Sequence, residues 1–220
     1  MNFEMAQDMA EMEGIQVASI VVDDDIAVED SLYTQGRRGV AGTILVHKIL
    51  GDAVRKGKSL KEIKALADEL VKNIHTVGLA LSGATVPEVG KPGFTLADDE
   101  IEFGIGIHGE PGYRREKMQN SKDLAKELIE KLVRSFTIQS DDNNFGILIN
   151  GMGATPLMEQ YIFANDVKDL LQQQGIKVVY KKVGNYMTSI DMAGISLTLI
   201  KLKNSNWLEA LNSPVETPAW

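Results

Sequence analysis

The sequence predicts an α/β protein of two domains with mixed or mainly parallel sheets, the first domain incomplete. Three observations carry that expectation. Apolar runs of strand length alternate with longer segments whose apolar residues recur at three- and four-residue steps, the pattern of strands interleaved with amphipathic helices. The run Phe145 to Ile149, FGILI, is continuously apolar, as strands covered on both faces are. The chain opens on a helix that feeds a strand with no strand before it, so the first domain is expected to lack its beginning. A long glycine- and proline-punctuated loop after Leu81 sets the expected boundary: residues 1–81 form the remainder of the first domain. Residues 82–202 form the second, and residues 203–220 form a C-terminal helix and tail that packs back on the first.

The first helix is expected from Asn2, its cap, to about Glu13, with Phe3, Met5, Met9 and Met12 on and around its buried side and Gly14 at its end. Ile15 to Val22 reads as a buried strand, and Asp23-Asp24-Asp25 after it as a solvated turn, because the run lacks the oxygen spacing and distal Glu of a calcium loop. Ser31 to Gly42 is read as loop, in which Arg37 and Arg38 make a surface salt bridge or a partner contact rather than an anion site. A helix follows from Thr43 to Arg55. Within it His47 is expected as a hydrogen-bonded core or subsurface residue.

The next helix is expected to start at Leu60, capped by Ser59 with Glu62, and to run to Leu81 on the stripe Ile63, Leu66, Leu70, Ile74, Val77 and Leu81. His75 lies off that stripe, which assigns it a surface or interface place. Ile101 to Ile107 alternates apolar with polar or glycine, predicting a strand, and Asn120 or Ser121 caps a helix reaching Phe136. After the FGILI strand, Thr155 is expected to cap, and Pro156 to open, a helix to Leu171 closed by Gly175; strands at Ile176 to Tyr180 and Ile195 to Leu202 and a short helix from Ser205 to Leu211 complete the chain.

Composition narrows the function. There are no cysteines, which excludes disulfides, thiolate catalysis and cysteine-zinc sites. A formal net charge of -8 argues against a broad nucleic-acid surface, and no apolar run is long enough to cross a membrane, so a cytoplasmic place is expected. Gly151-Met152-Gly153 between a strand and a helix is a poor dinucleotide fingerprint, since Pro156 stands where the third glycine belongs. A tight turn, or an anion or subunit contact, is the better reading. No metal site and no cofactor site are expected in this chain.

One residue stands out. His108 follows the last apolar residue of the Ile101–Ile107 run, and Gly109-Glu110-Pro111-Gly112 turns the chain at once. An imidazole held where a strand gives way to a loop can be a nucleophile or a base, with Glu110 and Arg114 or Arg115 close enough in sequence to tune its charge. The alternative is a histidine that satisfies loop carbonyls.

Five segments in order, NFEMAQDMAEMEGI, GRRGVAGTILVHKILG, FGIGIHGEPG, NGMGATPLMEQY and NYMTSIDMAGISLTL, resemble the dihydroxyacetone-binding subunit of bacterial dihydroxyacetone kinase. The resemblance runs from Asn2 to Leu202. It implies that the histidine of the IHGEPG motif, here His108, holds dihydroxyacetone covalently as a hemiaminal. It implies a separate nucleotide-binding kinase subunit, which carries ADP or ATP with magnesium, a phosphoryl supply from the phosphotransferase system or from ATP, and a homodimer. A non-catalytic, dihydroxyacetone-sensing coactivator is the alternative within the same family. In the family a region before the NF motif carries a GHEP loop and a TGD motif, which supply another histidine and an aspartate acting on the substrate hydroxyl. Neither motif occurs here, so the chain is expected to be a fragment, or to take those groups from elsewhere, and no general base is assigned.

Overall fold

The computed structural model describes residues 2–27, 36–107, 111–137 and 143–220. Among them, α1 (Asn2–Met12), α2 (Gly42–Arg55) and α3 (Leu60–Leu70) precede β1 (Ile74–Ala80), β2 (Glu100–Phe103) and β3 (Arg114–Lys117). Then come α4 (Ser121–Arg134), β4 (Asn144–Gly151), α5 (Leu157–Gln173), β5 (Lys177–Gly184), β6 (Gly194–Lys201) and α6 (Ser205–Asn212). The strands form one mixed sheet in the order β3-β2-β1-β6-β4-β5. Its single parallel pair among the described residues, β4 with β5, is joined through α5 as a βαβ unit; the other pairs are antiparallel.

The period-two alternation of side chains divides the core between the two faces of the sheet. Phe145, Ile147 and Ile149 of β4 and Ile195, Leu197 and Leu199 of β6 point to the face covered by Leu128 and Leu132 of α4 and by Phe163 and Val167 of α5. Leu148 and Ile200 point the other way, against Leu45 and Ile49 of α2, Leu70 of α3 and Trp207 of α6. Both faces of β4 are therefore dry, which is why its sequence is uninterrupted apolar. β1 pairs with β6 along its whole length and with β2 on its other side, so the sheet runs continuously across the expected boundary at residue 81.

Four local expectations are corrected. The helix begun by the Ser59/Glu62 capping box ends at Leu70, and Ile74–Ala80 is a central strand. Ile74, Val77 and Leu81 satisfy helical spacing, but Val77 and Leu79 fill one sheet face while Ile74 fills the other, and pairing with β6 overrides local pattern. Among the described residues Ile15 to Val22 belongs to no strand of the sheet; a bridge forms beyond it, from Asp25 to Thr76, and Ile15 and Val21 are exposed. α1 forms as expected, but none of its residues is buried, and Phe3 is 89% exposed. At α5, Pro156 is itself the N-cap, and Thr155 instead clasps β6: its Oγ1 donates to the Gly194 carbonyl at 2.7 Å and accepts from the Gly194 N–H at 2.8 Å.

Candidate functional site

β2 is shorter than its sequence pattern. It stops at Phe103 because Gly104 turns into the left-handed region at φ +76°, and a Cβ there would lie 2.3 Å from the Tyr113 ring. The Gly104 N–H donates to the Gly78 carbonyl at 2.7 Å, and Ile105 then packs with Ala80 at the end of β1, Met152 just past β4 and Met192 before β6. The segment thus crosses to the C-terminal ends of β1 and β4, where open α/β sheets place ligands. It returns close to where it left, since the Tyr113 N–H donates to the Phe103 carbonyl at 2.9 Å. His108 and Glu110 lie inside this excursion but outside the described residues.

Buried polar side chains hold both sides of the excursion. Arg38 donates through Nη2 to the Gly104 carbonyl at 2.8 Å and through Nε to Asp25 Oδ2 at 2.8 Å. Asp25 also accepts the Ala27 N–H on Oδ1 at 2.8 Å. The Arg38 and Asp25 side chains are each 3% exposed, so this is a desolvated ion pair. Burial raises the Asp25 carboxyl, opposed by the Arg38 charge. Beyond it, Ser189 Oγ donates to the Ile107 carbonyl at 2.8 Å. On the return side Glu102 is 2% exposed; it accepts the Gly112 N–H at 2.7 Å and pairs with Arg115 Nε at 3.1 Å.

The acidic run after residue 22 is not the solvated turn its composition suggests. Asp24 and Asp25 are each 2% exposed. Asp24 Oδ1 accepts the Val40 N–H at 2.8 Å, and Oδ2 accepts the Gly42 N–H at 2.7 Å at the start of α2, supplying acceptors to free amides near a helix N-terminus. Burial nevertheless dominates and pushes the Asp24 carboxyl up to about 6. Arg38 is likewise a core ion-pair partner and not a surface residue. Arg114 binds Glu116 at 3.0 Å and Glu127 at 2.5 Å.

The other histidines sit apart. His47 is exposed on α2, beside a groove lined by Lys48, Tyr186 and Trp220, and is not the core or subsurface residue its apolar neighbours suggest. His75 is on β1, with Nδ1 2.5 Å from Ser135 Oγ and its ring stacked on Phe136 at 4.3 Å; burial, then the Arg37 charge, pushes its pKa down to about 4. Gly153 in the GMG turn has φ +138°, and a Cβ there would meet the Ile190 carbonyl at 2.2 Å, so that turn packs against protein backbone. Among the described residues no group of His, Asp or Glu is placed to hold a metal ion, and no helix is long and apolar enough to cross a membrane.

Sequence reasoning placed Asp24, Asp25 and Arg38 at the surface, whereas the structure buries them, and did not single out Glu102 or Ser189. A lone carboxylate between Ile101 and Phe103 reads as the wet face of a strand, yet Glu102 is buried against the Gly112 N–H and Arg115. The Asp25 pairing with Arg38 and the Ser189 bond to Ile107 join residues distant in sequence, so neighbouring residues give no sign of them.

The fold and this braced loop define a mixed α/β domain whose glycine-rich excursion lies over the C-terminal ends of two central strands. The chain belongs to the Dak1 domain family, whose model matches residues 1–219. It is 67% identical over 220 residues, all of this chain and 66% of the relative, to the dihydroxyacetone-binding subunit of a PTS-dependent dihydroxyacetone kinase from Lactococcus lactis. It is 49% identical over 220 residues, 67% of the relative, to a kinase-operon coactivator from the same species. Among solved structures it matches a dihydroxyacetone kinase operon co-activator with TM-score 0.90 and 48% identity, over 96% of this chain and 65% of that one. It also matches the dihydroxyacetone kinase of C. freundii with TM-score 0.87 and 31% identity, over 100% of this chain and 39% of that one. The chain spans about two thirds of the length of these two curated relatives.

Proposed function

We propose that this chain is the substrate-carrying part of a dihydroxyacetone kinase, holding dihydroxyacetone on His108 while a nucleotide-binding partner subunit, carrying ADP or ATP with magnesium, brings the phosphoryl group. The observation that carries this reading is the 67% identity to a kinase subunit along the whole chain, against 49% to a coactivator. On this reading the chain works in the cytoplasm as a homodimer, and its phosphoryl supply comes from the phosphotransferase system.

A ring nitrogen of neutral His108 forms a bond to the carbonyl carbon, and the carbonyl π pair moves to oxygen, which takes up a proton. The ring releases its other proton, so a neutral hemiaminal results. A three-carbon ketone has too little surface for tight noncovalent recognition, and a covalent bond both selects the carbonyl and orients a hydroxymethyl group for transfer. Because attack needs the unprotonated ring, the adduct is lost on acidification.

Intact-mass measurement with dihydroxyacetone tests the anchor. The wild-type chain is expected to gain the mass of one dihydroxyacetone and His108→Ala is not; an adduct that survives in His108→Ala overturns the assignment. Phosphotransfer with the nucleotide-binding partner subunit separates the two family readings. Turnover supports the kinase, whereas adduct formation without turnover supports a coactivator that senses the ligand.

A further inference from the structure

His75 is the second residue of β1, at the end of the strand away from Ala80 and the Ile105 segment. Its tautomer follows from its neighbours. Ser135 Oγ lies 2.6 Å from the Leu132 carbonyl oxygen and 2.5 Å from His75 Nδ1. A carbonyl only accepts, so the single hydroxyl proton goes to Leu132, and Nδ1 carries the proton that joins the ring to Ser135. The other ring nitrogen, Nε2, is therefore an acceptor, and burial keeps the ring neutral by pushing its pKa down to about 4. Among the described residues no donor meets Nε2.

With Nδ1 turned to Ser135 and one face stacked on Phe136, the ring presents its remaining edge to an open cleft of about 730 Å³. Arg37, Lys72 and Asp23 line the same cleft, and the charges of Arg37 and Asp23 both act on the ring. None of these three side chains has a hydrogen-bond or ion-pair partner among the described residues. Lys64 and Asp68, also on the wall, are paired with each other at 2.5 Å. The cleft thus sets two unengaged cations beside two acceptors, Nε2 and the Asp23 carboxylate. A fully ionised anion satisfies the cations but turns lone pairs toward both acceptors, and a neutral ligand leaves the cations unanswered. A phosphate that keeps one proton answers both.

We propose that this cleft binds a monoprotonated phosphate group, free or on a small ester, with Arg37 and Lys72 on its ionised oxygens and the bare nitrogen of His75, backed by Asp23, on its hydroxyl. The site lies at the opposite end of β1 from the segment that leads to His108, and failure of the His108 reading would leave it intact.

The test follows His75 directly. The chain has three histidines, so a protein carrying His47→Gln and His108→Gln shows imidazole proton signals of His75 alone. Inorganic phosphate at neutral pH is expected to shift those signals saturably, and Arg37→Gln or Lys72→Gln to weaken that binding about tenfold each, the scale of a charge-assisted hydrogen bond. Sulfate has the same tetrahedral shape but no proton to donate, and should bind at least about tenfold more weakly, the cost of leaving an acceptor unmet. Glycerol 3-phosphate separates the two sources at about pH 6, where an ester holds its second proton in part. Displacement of phosphate there supports an ester site, and failure to displace it supports a free-phosphate site. Sulfate bound as tightly as phosphate overturns the proposal, because it marks only a cationic surface. So do unmoved His75 signals, or an affinity unchanged in both variants. Should Arg37→Gln lower the thermal midpoint, Lys72→Gln decides, since Lys72 is exposed.

Discussion

Thr76 on β1 donates its hydroxyl to Asp24 Oδ2 across 2.5 Å, and the same hydroxyl lies 2.7 Å from Thr198 Oγ1 on β6. A sheet strand is thus pinned to the carboxylate that receives the first turn of α2. The arrangement is buried and carries a titratable group, so it makes stability depend on pH.

Asp24 has an ordinary carboxyl value of 3.8 when unfolded and about 6 when folded, with burial as the main cause. Between those values the folded state holds a proton that the unfolded chain has lost. The folded state binds more protons, so this group's contribution is fully present below about pH 4 and is lost as pH rises through about 6. The full effect is roughly 3 kcal/mol. Urea unfolding at several pH values is expected to show this slope in wild type and to lose it in Asp24→Asn. That variant should also cost about 1–2 kcal/mol at neutral pH, because its amide nitrogen cannot accept from the backbone amides of Val40 and Gly42. An unchanged slope in Asp24→Asn contradicts the assignment.

His75 acts in the opposite direction. Its folded value near 4, lowered by burial, lies beneath the ordinary 6.5. The unfolded chain takes a proton first as pH falls, so the contribution of His75 is present above about 6.5 and disappears as pH drops through about 4. After allowance for its partial exposure the effect is about 1–2 kcal/mol. His75→Gln should flatten the acid side of the stability profile while leaving the Asp24 slope, and denaturation curves of the two single variants separate the contributions.

The buried pair of Arg38 and Asp25 gives a prediction of a different kind. Removing one partner strands the other charge away from water, which costs about 3–5 kcal/mol, whereas removing both leaves no orphaned charge. Asp25→Ala alone is therefore expected to be more destabilising than the double variant Asp25→Ala/Arg38→Met. Chemical denaturation of the four proteins of that cycle measures it, and additive effects would show that the pair is not coupled.

How far the sequence revealed this molecule depended on the range of the interaction. Ser59 with Glu62, Asn120, Gly175 and the FGILI strand were legible because a cap or a doubly covered strand writes its pattern within a few residues. β1 was not, since Ile74, Val77 and Leu81 meet helical spacing equally well and only the ladder to β6 decides. The same holds around the site. The motif at His108 was visible in one short segment, while its tethers come from Asp25 and Arg38, from Glu102, and from Ser189, brought together by the sheet. Asp24 and Asp25 read as solvent-facing because nothing adjacent shows their partners at Thr76, Val40, Gly42 and Arg38.

The last prediction concerns the bend that ends β2. Gly104 at φ +76° occupies a conformation that disfavours a side chain, and an added Cβ would also press on the Tyr113 ring at 2.3 Å and lie 3.0 Å from Ala27. Tyr113 is not free to retreat, because Lys131 sits over its ring at 3.8 Å and its N–H closes the loop onto Phe103. Gly104→Ala should therefore cost about 1–3 kcal/mol and loosen the Arg38 contact to the Gly104 carbonyl, and under the proposed function it should lower dihydroxyacetone capture by more than the stability loss accounts for. Gly90 offers the control: it also has positive φ, at +66°, but a Cβ there meets nothing within 4 Å. Gly90→Ala should lose some stability and keep the adduct. Equal adduct affinity in the two variants would mean that the geometry at Gly104 does not govern the loop that carries His108.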